Sequence, residues 1–147
     1  PLCLVGSEMC IRDRIYMSFQ DPISDMISRI KNAQSRGHEK VSFGSSKLKK
    51  AICEVLLDEG FIKKSELVGD LPKQEIEITL KYFENQPVIK EFRRESKPGL
   101  RKYFASKEIP PVKGGLGIGI LTTSKGVLTD KQAKSQNIGG ELICSIF

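Results

Sequence analysis

Tryptophan is absent from this chain, and histidine occurs once, as His38. A Ser-His-Asp or Cys-His arrangement needs a histidine or another base. His38 lies in the polar loop Ser35 to Lys40, where it reads as a solvated residue. The four cysteines form no CxxC pair: Cys3 and Cys10 lie near the start, and Cys53 and Cys144 stand alone in apolar segments. That pattern excludes a zinc site, and the last two read as buried structural thiols. No metal or cofactor is implied. No stretch approaches the ~18 apolar residues of a membrane span. The opening PLCLVG is too short for a signal peptide and is soon followed by Glu8 and Asp13. A cytosolic chain with no membrane partner is expected. Internal repeats and low-complexity tracts are missing as well.

What is present describes a soluble, basic chain. Its 147 residues suffice for one core or two small lobes sharing an interface. The 39% apolar and 29% charged fractions separate it from disordered sequences. A net charge of +6 implies an anionic partner without saying how specific that partner is. Residues 1–16, PLCLVGSEMCIRDRIY, show no sustained helical or strand period and resemble a translated sequencing adapter. They read as a non-native leader, with Met17 as the start.

From there the pattern predicts a lobe over residues 17–84. Asp21-Pro22 opens a helix whose buried face carries Ile23, Met26, Ile27 and Ile30, with Arg29, Lys31 and Arg36 off that stripe. A short strand over Lys40 to Phe43 follows, then a helix capped by Ser45 or Ser46 and ended by Gly60, with Leu48, Ile52, Val55 and Leu56 inward. Phe61 and Ile62 enter a strand, and Glu75 to Tyr82 alternates as another. Glu84 to Pro87 marks the boundary. Residues 88–147 then read as mostly β, with strands over Val88 to Glu95, Leu100 to Ala105, Gly117 to Thr123 and Glu141 to Phe147. Thr129, with Gln132 three residues on, caps one short helix. The expected class is α+β: an N-terminal α-β-α-β-β lobe and a β-rich C-terminal lobe.

The chemistry concentrates near the end of the chain. Thr122, Thr123, Ser124 and Lys125 are short donors and acceptors plus one cation, set beside Gly126, where a backbone can approach closely. That set suits phosphate, ribose and base edges better than bond-breaking. GGLGIG invites a nucleotide-binding reading but lacks the GxGxxG order, and GxxxxGK[ST] is missing too. Alternating glycines on a strand instead leave one face open to close packing. The carboxylates of Asp21 and Asp25 suit the helix dipole. Lys90, Arg93, Arg94, Lys97, Arg101, Lys102 and Lys107 cluster around Tyr103 and Phe104, and Lys47, Lys49 and Lys50 open the second helix. Each cluster alone could be a solvated face; together with the hydroxyl-rich turn they favour RNA.

MSFQDPISDMISRIKNAQ, SSKLKKAICEVLLDEGFI, EITLKY, SKPGLRKY, GGLGIGILTTSKGVLTDKQA and GGELIC occur in that order. Together they resemble the bacterial form of small-ribosomal-subunit protein eight, from Met17 to about Cys144. The resemblance implies a non-enzymatic, cytoplasmic ribosomal protein that binds the central domain of small-subunit rRNA during early assembly, beside neighbouring ribosomal proteins. It implies that the C-terminal lobe makes the principal contact, through Thr123, Ser124, Lys125 and Gly126, with Gly139, Gly140 and Glu141 adjoining. Asp21, Pro22, Arg29 and Asn32, the Ser46-Lys47 turn, and Pro98-Gly99 with Arg101 and Tyr103 would support it. Some members also repress their own operon through a similar mRNA hairpin. The chain departs from the pattern at Ser145, where many relatives carry an aromatic residue, and the leader has no counterpart.

In this reading Ser124 and the Thr122 and Thr123 hydroxyls read ribose and base edges, while Lys125, Arg101, Lys47, Lys49 and Lys50 contact phosphates. Glu141, with the wrong charge for a phosphate, accepts from a base amino group or orders a neighbouring turn. The alternatives are a nucleotide-handling enzyme using Gly114 to Gly119 and Lys125, whose melting temperature ATP or GTP would raise, and a nonspecific basic RNA-binding module.

Overall fold

The computed structural model describes residues 21–147, so the expected leader over 1–16 and the Met17 start lie outside the described residues. Helix α1 (Pro22–Ser35) carries proline in its first turn and buries Ile23, Met26, Ile27, Ile30 and Ala33 along one stripe. Strand β1 (Lys40–Gly44) follows, then helix α2 (Lys47–Asp58). Ser46 caps α2 by accepting from the Lys49 backbone N–H at 3.2 Å, and Gly60 follows its end in a left-handed conformation. Strands β2 (Ile62–Val68) and β3 (Glu75–Leu80) complete an antiparallel sheet of order β1-β3-β2. The expected α-β-α-β-β order is what forms.

Two short strands, β4 (Tyr82–Phe83) and β5 (Gln86–Pro87), make a tight hairpin. Its corner residues Glu84 and Asn85 both sit at positive φ, the geometry that matches strand twist in two-residue hairpins. The chain then enters a five-stranded sheet built from β6 (Phe92–Arg94), β7 (Tyr103–Phe104), β8 (Ile118–Thr123), β9 (Gly126–Thr129) and β10 (Gly140–Ile146). Its order is β6-β10-β8-β9, with β7 also on β10. A six-residue helix, α3 (Asp130–Ser135), lies between β9 and β10 and closes with the expected Thr129–Gln132 capping box.

One large apolar cluster joins the lobes. Ile23, Met26, Ile30, Ile52 and Leu56 from the helices meet Ile76, Ile78 and Leu80 of β3, and the same cluster includes Phe92, Ile120, Ile143, Cys144 and Ile146 from the five-stranded sheet. A smaller cluster, Ile109, Leu121, Ala133 and Leu142, fills the opposite face. Cys53 and Cys144 are buried free thiols, as expected, and burial pushes both up to about 12.

The β-rich lobe differs in detail from its sequence reading. Val88 to Glu95 is not one strand: only Phe92–Arg94 pairs with β10. The preceding backbone crosses between sheets, with the Lys90 and Glu91 N–H groups both donating to the Phe147 carbonyl at 2.7 Å. Leu100 to Ala105 shrinks to β7, because Lys97 and Leu100 close a two-residue turn on each other first. Glu141 to Phe147 has no wet face beyond its first residues: Leu142 through Ile146 are all buried, and a register shift between Leu142 and Cys144 divides them between the two clusters.

The glycine run behaves as close-packing sequence. A Cβ on Gly117 would stand 2.5 Å from Val112 Cγ1 and 2.6 Å from the Ile146 carbonyl oxygen. Gly119 likewise sits against Leu142 and Asp130, so this strand leaves no cradle for a nucleotide phosphate. Gly117→Ala is expected to lower stability by ~1–3 kcal/mol through overpacking. Urea unfolding should show a lower midpoint at unchanged slope.

Candidate nucleic-acid interface

The hydroxyl-rich segment forms the tip of the β8–β9 hairpin. Thr123 pairs with Gly126, which leaves Ser124 and Lys125 as the corner. Gly126, at φ +110°, reverses the chain there in a conformation L side chains rarely adopt. The Thr123 hydroxyl donates to the Gly126 carbonyl at 2.9 Å and accepts from the Lys125 N–H at 3.2 Å. Its hydrogen-bonding capacity thus goes largely into the turn. Ser124, Lys125 and Gly126 are exposed, while Thr122 and Thr123 are half-buried.

Cross-strand register sets the neighbours of this tip. Glu141 of β10 lies opposite Tyr103 of β7 on one side and Thr122 of β8 on the other. Residues directly opposite in an antiparallel ladder share a face, so Tyr103, Glu141 and Thr122 form one row. Tyr103 is 70% exposed, an aromatic surface with no apolar cover. The glycine pair makes the row possible. A Cβ on Gly139 would come within 2.6 Å of the Phe104 carbonyl oxygen, and one on Gly140 would collide with the Thr122 carbonyl.

Glu141 is the centre of a polar network. Its Oε1 accepts from the Ser96 hydroxyl at 2.5 Å and from Arg101 Nη1 at 3.0 Å. Ser96, fully buried, also accepts from the Lys102 backbone N–H at 3.2 Å. The carboxylate is therefore bonded to both sides of the turn that presents Pro98 and Gly99. Partial burial would raise the Glu141 carboxyl, but the Ser96 and Arg101 hydrogen bonds outweigh it and hold it below the ordinary value.

Asp21 belongs to the same region by a route the sequence did not suggest. Its side chain accepts from the Ser24 hydroxyl at 2.5 Å and from Arg94 Nε at 3.1 Å, and makes no side-chain cap to the α1 backbone. Arg94 Nη1 also donates to the Ile143 carbonyl at 3.0 Å, so this nearly buried guanidinium ties the start of α1 to β10. Here too burial pushes upward, and Ser24 and Arg94 prevail to lower the Asp21 value.

The remaining candidates occupy α1 and the start of α2. Pro22, Arg29 and Asn32 are exposed, with Arg29 held to Asp25 at 3.0 Å. Ser46, Lys47 and Lys50 are exposed as well. Lys49 is not: at 6% exposure its ammonium donates to the Gly44 carbonyl at 3.2 Å and stands over the Phe43 ring. Desolvation lowers its pKa, with Asp25 opposing and Arg29 assisting. Its ammonium holds the end of β1. Ser96 and Arg94 are the residues that reading by composition passed over as part of a motif and of a charge tally. A serine directly before the Lys-Pro-Gly turn was the available signal for the first.

Known proteins are similar to this chain in sequence. A family model described as ribosomal protein S8 matches residues 21–147. Small ribosomal subunit protein uS8 from Saccharophagus degradans is 52% identical over 131 residues, 89% of this chain and 100% of the relative. The uS8 proteins of Cellvibrio japonicus and Dictyoglomus turgidum are 51% and 52% identical with the same coverage.

Because Asp21 and Glu141 have lowered folded-state values, each stabilises the fold above its ordinary value of 3.8 or 4.5, and that stability is lost as pH falls through the folded value. Urea melts from neutral pH to about pH 3 should show stability falling in this window. Ser96→Ala should cost ~1–3 kcal/mol at neutral pH by leaving Glu141 and the Lys102 N–H short of a partner, and should flatten the acid limb.

Proposed function

The chain belongs to the ribosomal protein S8 family, and from that premise we propose that it is a structural constituent of the small ribosomal subunit that binds the central domain of small-subunit rRNA directly and aids its assembly. It is a ribosomal protein and not an enzyme. Its partners are rRNA and neighbouring ribosomal proteins, and its place is the cytoplasmic ribosome. The same surface would take a hairpin of similar shape in its own operon mRNA.

The observation that carries the reading is the row Tyr103–Glu141–Thr122 running up to the locked Ser124-Lys125 corner. A corner already closed by Thr123 loses little conformational freedom on binding. Ser124 and Thr122 offer hydroxyls to ribose and base edges of an opened, irregular RNA helix, the kind of site RNA readers favour because the deep groove of a regular helix is closed to side chains. Tyr103 offers an exposed ring for stacking. Lys125, Lys47, Lys50 and the half-exposed Arg101 supply phosphate contacts, with Arg101 aimed by Glu141. Gly139 and Gly140 let the three strands close up beneath. Asp21, Pro22, Arg29, Asn32, Ser46, Pro98 and Gly99 form the flanks. In this division of labour residues 88–147 act as the principal RNA-binding lobe and residues 17–84 as its support.

Ser124→Ala is expected to remove ~1–3 kcal/mol of specific binding while leaving scrambled RNA nearly unaffected. Lys50→Ala should weaken every RNA and reduce the salt slope by about one unit. Filter binding over a salt series with a central-domain hairpin and its scrambled control separates the two. Equal losses on both RNAs for Ser124→Ala would sink the recognition role and favour a nonspecific basic module.

A further inference from the structure

A cleft of about 570 Å³ lies at the C-terminal end of α1, lined by Arg29, Asn32, Arg36, His38 and Lys40 among others. Its lining contains four basic side chains and no carboxylate, whereas three other clefts each include at least one: Glu91 and Glu95, Glu39, or Glu54, Asp58 and Glu59. We propose that this cleft is a second anion site, taking a backbone phosphate from an RNA segment outside the one gripped by the β8–β9 tip. The inference rests on the RNA-binding reading above and extends it to Arg36 and His38.

The chemistry favours a phosphate. Arg36 and His38 are exposed and flank the Gly37 turn, so both can swing toward a ligand. Arg29 spends Nε on Asp25, which leaves its terminal guanidinium nitrogens for a bidentate grip. Lys40 holds Glu77 at 2.8 Å from β1, yet its side chain remains 62% exposed. Other charged or titratable groups nearby include Glu39 on the entry to β1, Glu66 of β2, whose charge also acts on Lys40, and Tyr82, whose hydroxyl donates to the His38 carbonyl. A helix C-terminus ordinarily repels anions. Here the Arg36, Gly37 and His38 N–H groups occupy the Asn32, Gln34 and Ala33 carbonyls, at 3.2, 3.2 and 2.9 Å, which blunts that repulsion.

Position argues for a separate RNA segment. Asp21 at the other end of α1 is tied by Arg94 to the strand that carries Glu141. The helix rise puts the cleft roughly 20 Å further along the axis. A volume of 570 Å³ is also generous for a lone phosphate ion and suits a passing backbone.

Binding of wild type, Arg36→Gln, His38→Gln and the double variant should be measured on a minimal central-domain hairpin and on a longer central-domain fragment across a salt series. The double variant is expected to lose about tenfold on the longer fragment and one to two units of salt slope, with hairpin affinity within about twofold of wild type. An unchanged affinity for the longer fragment, or an equal loss on both RNAs, would overturn the proposal. Failure of the wild type to bind even the hairpin would instead defeat the underlying RNA reading. Melting in inorganic phosphate against chloride at equal ionic strength separates the sources of the ligand. No stabilisation is expected, and a shift abolished by the double variant would replace RNA backbone with a small anion.

Discussion

Strand β10 must pair with β6, β7 and β8 while buried on both faces from Leu142 onward, and most of what the C-terminal lobe presents follows from that constraint. Its entry is confined by Gly139 and Gly140, where any side chain would strike a carbonyl of β7's end or of Thr122. Once the backbones close, Glu141 has Tyr103 on one side and Thr122 on the other without further choice. The irregularity between Leu142 and Cys144 then lets one strand serve two apolar clusters. The exposed row is thus the end of a core strand that continues past the core.

Carboxylates at the centre of a basic surface look misplaced until their partners are counted. Glu141 and Asp21 both face guanidinium groups and hydroxyls of their own chain. They orient Arg101 and Arg94 and fix the Lys97–Leu100 turn and the start of α1. An arginine aimed in advance forfeits less rotamer freedom when it meets a phosphate than one swinging free. Arg94 is too buried to meet a ligand, so its part is to bind the two lobes; Arg101, half-exposed, remains available.

The helices were legible because their apolar spacing is long enough to show a period, and α1 and α2 formed where Asp21-Pro22 and Ser46 predict. The second helix also carried a signal that charge clustering obscured. Lys49, Ile52, Cys53 and Leu56 stand at i, i+3, i+4 and i+7, so the period itself places Lys49 on the buried side. Grouping it with Lys47 and Lys50 by proximity in sequence hides that placement. The β-rich lobe was harder to read. Strands of two to four residues, such as β7 and β9, are shorter than any period can reveal, and their limits come from turns and partners distant in sequence. The Thr122–Gly126 segment was recognisable as a turn from composition, whereas its being a hairpin corner, with Thr123 spent on closing it, depends on Gly126 taking positive φ.

Helix α1 gives the two surfaces a fixed relation. Its apolar stripe is embedded in the cluster that also holds Phe92, Ile120 and Ile143, and Asp21, just before its first residue, is bonded to Arg94. A rigid connection of this kind matters for a ligand that spans both ends. Contact at the hairpin corner would hold a continuing RNA segment close to Arg36 and His38, making the second contact effectively intramolecular. A weak phosphate grip that would count for little in isolation can then discriminate a folded RNA, which presents both segments at the right separation, from a short hairpin that presents one. Geometry, more than the strength of either contact, would set the preference for an assembled RNA domain.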